Sequence, residues 1–396
     1  MANKTSAALA ALTQAALAIP GIAAADGATV QTDYLYSHYD EAKLAAGHSA
    51  SGESESRYQI DSHLFRLSTA LDDNNLGLDL TYETLSGASP WFILPDANGK
   101  PVQVMSGASI KEQRIDVQGS WNRPLSSLLD GLDASATLGY SSEDDYRALS
   151  GGAELGYTPA TGALTYTGGF SYSSDEIEPT RGASSPNVIA SADKRTLSLY
   201  GGVAWVLGPD TVLQGSLSYL NNDGYLSDPY KLAYLTDSAG TTADERPDGR
   251  IAWALTGRLR QFVPQLDGAL HLDYRWYHDD WKIESHTVDL AWYQTLPGDW
   301  QLTPSLRWYS QSQAFFYAPY YGSERNDGFA SSDYRLSPFG ALSGRLALSK
   351  RFGGWLLGAG VEHYQAKASY ALGEVELENP GLVKFTSFDI RASWRF

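Results

Sequence analysis

The 396-residue chain sets 29 Lys and Arg against 46 Asp and Glu, a formal charge of −17, and so lacks the clustered basic surface that a nucleic-acid partner requires. It has no cysteine, which excludes disulfides, thiolate metal sites and a cysteine nucleophile. Mean hydropathy is −0.30, and past the N-terminus no apolar run is long enough for a spanning helix, so a bilayer would be crossed by strands.

The 25 Tyr, 11 Trp and 38 Gly suit a membrane barrel, because amphipathic rings settle at the water–lipid boundary and glycine lets curved strands approach. Composition alone fits an aromatic-rich soluble propeller too. The chain opens with MANK and a mostly apolar run ending at Ala23-Ala24-Ala25, the pattern of a signal peptide over residues 1–25 with the mature chain from Asp26.

From there one unit recurs. In LGLDLTYET, Leu76, Leu78, Leu80 and Tyr82 alternate with Gly77, Asp79, Thr81 and Glu83, the period of a strand with one greasy and one wet face. Next, IDVQGSW sets Ile115, Val117 and Trp121 against Asp116, Gln118 and Ser120, and TLSLYGGVAW lines up Leu197, Leu199, Val203 and Trp205. WALTGRLR opposes Trp253, Leu255 and Leu259 to Arg258 and Arg260, and LHLDYRWYH opposes Leu272, Tyr274 and Trp276 to Asp273 and Arg275. SLRWYS and the terminal FDIRASWRF add Arg307 and Arg391 to the polar face. A cationic side chain facing mid-bilayer costs roughly 2–4 kcal/mol, so these charges are expected to point inward.

Connections alternate in length. Brief turns at 72–75, 158–162, 207–210, 264–268, 296–299 and 350–354, with a longer one from Asn122, are rich in turn formers. Between them lie long segments at 40–57, 85–109, 175–193, 221–249, 311–333 and 368–384, with tighter links near Glu143 and Asp279. Short periplasmic turns and long outer loops predict an all-β, single-chain antiparallel transmembrane barrel of about 16 strands, with 14–18 allowed, in the bacterial outer membrane over residues 26–396.

Closure requires the last strand to pair with the first, since unpaired backbone groups in hydrocarbon cost several kcal/mol each. Phe388, Ile390, Trp394 and Phe396 supply its outer face, and the terminal Phe resembles the signal read by the outer-membrane assembly machinery. The stretches YSHYDE, YETLSGASP, YSSEDDY and YRWYHDDWKIESHT resemble a family of uncharacterised Gram-negative outer-membrane barrels, domain of unknown function 3570. The resemblance implies a barrel, carries no catalytic residues, and hints at envelope metal or redox chemistry.

Two functions are weighed. The first is a porin-like channel for small polar solutes or ions, its lumen lined by Asp79, Glu83, Arg114, Asp116, Arg258, Arg260, Asp273, Arg275, Arg307 and Arg391, opposed charges that would act as a transverse field. In the competing reading those residues pair and fill a closed barrel or scaffold. The second is a rim site: His38, Asp40, Glu41, Glu143, Asp144, Asp145, His278, Asp279 and Asp280 gather near outer strand ends, where His and carboxylates could hold a divalent cation or activate water in a surface hydrolase. His38, Asp40, His278, Asp279 and Asp280 are its metal candidates. No phosphate loop, GxSxG or HExxH occurs, so an enzyme is not expected and no cofactor is assigned. The acidic excess reads chiefly as solvated loops. Expected partners are outer-membrane lipid and lipopolysaccharide, the assembly machinery, and small solutes or divalent cations.

Overall fold

The computed structural model describes residues 30–106, 110–180 and 189–396; the expected signal peptide and its cleavage point lie outside them. Alternating segments become strands wherever the pattern is sustained. The first barrel strands are β1 (Val30–Glu41), β2 (Gln59–Leu71) and β3 (Asn74–Gly87), followed by a hairpin of β4 (Pro90–Pro95) and β5 (Pro101–Met105). The wall resumes with β6 (Ile110–Pro124), β7 (Leu132–Ser142), β8 (Tyr146–Tyr157), β9 (Leu164–Ile177), β10 (Ala192–Gly208) and β11 (Thr211–Gly224). A second hairpin, β12 (Leu232–Leu235) and β13 (Gly240–Ala243), precedes β14 (Gly249–Val263), β15 (Gly268–Asp279), β16 (Glu284–Leu296) and β17 (Trp300–Gln311). The last strands are β18 (Phe339–Phe352), β19 (Trp355–Lys367) and β20 (Lys384–Arg395).

Sixteen of these form one closed antiparallel barrel, and the two hairpins stand apart as small sheets. Closure falls on β1 and β20, in register from Gln31 with Arg395 to Glu41 with Phe385. It is completed by reciprocal backbone bonds between Val30 and Phe396 of 3.1 and 3.0 Å, so no sheet edge is left open in this pair. Phe388, Ile390, Trp394 and Phe396 lie exposed on the outer face of that seam. Trp394 stacks on Trp355 with ring centroids 5.4 Å apart.

The outer face keeps one sense around the ring. Leu78, Leu80, Ile115, Leu149, Phe170, Leu199, Leu217, Leu255, Leu306, Leu346 and Val361 are all exposed there, an apolar belt far larger than water tolerates and suited to lipid. Trp121, Trp205, Trp300, Trp355 and Trp394 sit at the ends joined by short turns, and Trp253, Tyr274 and Trp308 toward the other end. These are the two aromatic girdles of an outer-membrane barrel. Strands run further into the turns than the sequence suggested: β3 starts at Asn74 and β18 reaches Phe352, leaving Asp72-Asp73 and Gly353-Gly354 as the links. Asp72 at φ 51° and Gly353 at φ 56° supply the left-handed residue such tight reversals need.

Candidate functional site

The residues expected to line the lumen alternate along their strands with the exposed apolar rows. Asp79 on β3 takes Arg66 of β2, with Nε 2.5 Å from Oδ1. Glu83 accepts from Ser62 Oγ at 2.9 Å and from Arg114 Nη1 at 3.2 Å, and Arg114 also stands 3.7 Å from Asp116. Arg260 and Arg258 both address Asp273, Arg260 Nη2 at 3.0 Å and Arg258 Nε at 3.7 Å. Arg307 pairs with Asp289 on the adjacent strand, and Arg275 lies over the ring of Tyr277 at 5.2 Å. Sequence reading missed Asp289, Glu154 with its partner Tyr200, and the Arg345–Asp389 pair. The same alternation in SGRLALS around Arg345 was the available signal.

These pairs run along the wall. Arg114–Asp116 and Arg275–Tyr277 lie within one strand, the others link adjacent or next-adjacent strands, and several side chains lie flat where the facing strand has glycine. A Cβ at Gly360 would collide with the Arg345 guanidinium, one at Gly358 with Arg391, one at Gly169 with Tyr200 and one at Gly156 with Asp133. Arg258 and Arg307 are 52% and 51% exposed. The signs are also segregated. Asp79, Glu83, Asp116, Asp133 and Glu154 line the β3–β8 wall, where Arg66 and Arg114 are their basic neighbours. Arg258, Arg260, Arg275, Arg307, Arg345 and Arg391 line β14–β20 among Asp273, Asp289, Glu362 and Asp389.

At the end with the long connections, the loops fold over the mouth. The β4–β5 hairpin meets β12–β13 through Phe92 and Tyr234, stacked at 6.4 Å, and Tyr320 Oη donates to the Gly99 carbonyl at 2.7 Å. Lys100 Nζ donates to the Gly47 carbonyl, and Asn379 Nδ2 to Tyr317 Oη. Small apolar cores hold this roof: Trp281, Ile283, Ala314, Phe316 and Leu336 in one, Ala233, Leu235, Tyr321 and Ala330 in another. Between them lies a buried charge cluster. Asp333, with no exposed surface, receives Lys231 Nζ at 2.9 Å, Arg246 Nη2 at 3.0 Å and Arg335 Nε at 2.8 Å. Arg246 also holds Asp244, and Arg335 holds Asp228. The acids of these loops are thus largely structural, where sequence reading took them for solvated tips.

The rim candidates are dispersed. His38 faces outward, its Nδ1 2.9 Å from Asp61 Oδ1, which also accepts from Tyr36 Oη at 2.7 Å. Asp40, exposed on the same face, accepts from Gln59. His278 is outward and stacked on Trp276 at 6.1 Å. Its neighbour Asp279 is turned inward, buried and already satisfied by Arg250, Tyr277 Oη and the Ile283 amide. Asp280 is exposed beyond the strand end. Period two puts His278 and Asp279 on opposite faces, so they share no centre. Among the described residues, the carboxylates that do converge are Glu112, Glu143 and Asp145, of which Glu112 carried no signal of its own in a polar strand.

The family model described as "Protein of unknown function (DUF3570)" matches residues 9–382. No curated protein matches the chain. Among solved structures, CdiB from Acinetobacter baumannii is similar with a TM-score of 0.50 at 10% identity over 92% of this chain and 60% of its own. The outer membrane protein opdK from Pseudomonas aeruginosa gives 0.42 at 10% identity over 93% and 99%. The siderophore receptor PirA from Pseudomonas aeruginosa gives 0.42 at 10% identity over 87% and 57%. The chain therefore spans less than two thirds of the length of PirA and of CdiB. At 10% identity the likeness to CdiB is one of fold alone.

Proposed function

Because the chain belongs to the DUF3570 family, whose description assigns no activity, we propose from its own lumen that it is a channel for small polar solutes or ions, roofed at the extracellular end. One observation carries this reading: among the described residues, the charged side chains of the wall pair within their own strand or with neighbouring strands, and several lie flat over glycines. A closed scaffold would be expected to fill its axis with crossing pairs, whereas 16-stranded walls with flat linings leave an aqueous path. The acidic β3–β8 wall facing the basic β14–β20 wall makes a transverse field that favours solutes carrying a dipole or both charges. The roof then acts as the gate.

The interlocked roof itself favours a second reading, a barrel permanently shut. Planar-bilayer recording separates the two. Purified protein is expected to conduct rarely or in brief openings, and a variant with residues 228–245 replaced by a short Gly-Ser linker to conduct steadily. If neither passes current while both run as folded barrels, the channel reading fails.

A further inference from the structure

We propose that one half of the barrel's outer face is an acid-strengthened contact for the phosphate groups of outer-leaflet lipids, made by His38, His63, His278, His286 and His363. Of the seven histidines in the chain, these five stand on β1, β2, β15, β16 and β19. Each lies an even number of places from an exposed residue of the lipid-facing side, respectively Tyr34, Phe65, Tyr274, Leu290 and Val361, and so shares its face. In ring order the five strands fall within the arc from β15 through β20 to β1 and β2. Among the described residues, the outer face of the remaining strands carries no histidine.

Register sets this band against the aromatic girdle at the end with the long connections, where lipid headgroups lie. His278 is opposite Trp253, His286 opposite Trp276, and His63 between Tyr36 and Tyr82. Four of the rings are held through one nitrogen. Nδ1 is 2.9 Å from Asp61 Oδ1 in His38, 2.9 Å from Tyr34 Oη in His63, 2.8 Å from Tyr274 Oη in His286 and 3.0 Å from Thr386 Oγ1 in His363. That leaves Nε2 as the nitrogen a headgroup oxygen can reach.

A lysine or arginine facing lipid carries its charge at every working pH and is costly there. An imidazole sits in the interface neutral and gains its charge as pH falls from about 8 to about 5. The charged groups around the band are chiefly acids. Asp61 and Asp40 stand by His38, Asp280 and Glu284 by His278, and Glu374 and Glu376 share a surface cavity with Glu284 and His286. Lys282, Lys367 and Lys384 flank the same strand ends. While the imidazoles are neutral, these six acids outnumber the three lysines and disfavour phosphate. Five added positive charges reverse that sign, and each then offers a charge-assisted N–H to a phosphate oxygen.

The test follows the unfolding temperature of full-length protein refolded in uncharged maltoside micelles containing phosphatidylglycerol or, at equal mole fraction, phosphatidylcholine. The rise given by phosphatidylglycerol over phosphatidylcholine should be at least about twice as large near pH 5.5 as near pH 8. Changing all five histidines to Gln should remove this pH dependence, while His48→Gln with His271→Gln, both off the band, keeps it. Should the five-fold variant not fold, His278→Gln with His363→Gln should reduce it. Inorganic phosphate in place of the anionic lipid should give no such rise. An equal rise at both pH values, a folded band variant with the parent's pH dependence, or the same rise from inorganic phosphate each overturns the contact.

Discussion

At the scale of single residues, the roof depends on a charge kept out of water. Burial opposes ionisation of Asp333, but Arg335, Lys231 and Arg246 outweigh it and hold the carboxyl well below its ordinary 3.8. A depressed folded value means the stabilisation is complete above the ordinary carboxylate range and is lost only as pH falls through that lower value. The roof should stay locked in mildly acidic media. Asp333→Ala takes from Lys231, which is buried, its ion-pair partner, while Arg246 keeps Asp244 and Arg335 keeps Asp228, a loss of about 3–5 kcal/mol for a broken buried pair. The expected outcome is rapid trypsin cleavage at Lys231 and Arg246 with the barrel still resistant to dissociation in cold detergent; equal protease resistance would contradict the cluster's role. Glu143 runs the other way. Raised from 4.5 to about 8, it stabilises the fold fully below 4.5, and that contribution fades as pH climbs through 8. The unfolding temperature should therefore decline across this window, and Glu143→Gln should flatten the slope. Neither residue was readable in this role from sequence, because a solvated and a buried aspartate share one letter and the partner Arg246 lies 87 positions from Asp333.

Strands are where the sequence spoke most clearly. Alternation set the outward face of β3, β6, β14, β15 and β20, and the cost of charge in lipid set which face was which. The number of barrel strands followed, since each long or short connection reports one reversal. Glycine placement was less legible. Gly358 and Gly360 on β19 look like ordinary curvature residues, yet they are the floor on which Arg391 and Arg345 lie. A larger side chain at 360 must lift Arg345 off the wall and away from Asp389. Gly360→Val is expected to reduce unitary conductance by on the order of tens of per cent while leaving the barrel folded, as lumen substitutions tune permeation more than stability. An unchanged conductance would mean that Arg345 does not border the conducting path.

Across the whole molecule, the sign of the chain misleads. A formal charge of −17 would suggest a cation-selective pore, but Asp228, Asp244, Asp333, Glu143 and Asp145 are buried in the roof and rim, whereas the wall from β14 to β20 is rich in arginine. Permeating ions respond to what lines the water, within about 10 Å at 0.1 M salt. Arg258, half exposed and only loosely paired to Asp273, and Arg275, resting on Tyr277, are the most available of these charges. Converting Arg258, Arg260 and Arg275 together to Gln keeps polar bulk on that wall and removes three positive charges that face the acids of β3–β8. In a roof-deleted background, the reversal potential under a KCl gradient should then move toward K⁺ relative to the parent lumen, and the difference should shrink as salt is raised. An unmoved reversal potential would place the ion path away from this wall, and with it the transverse field would lose its part in selecting solutes.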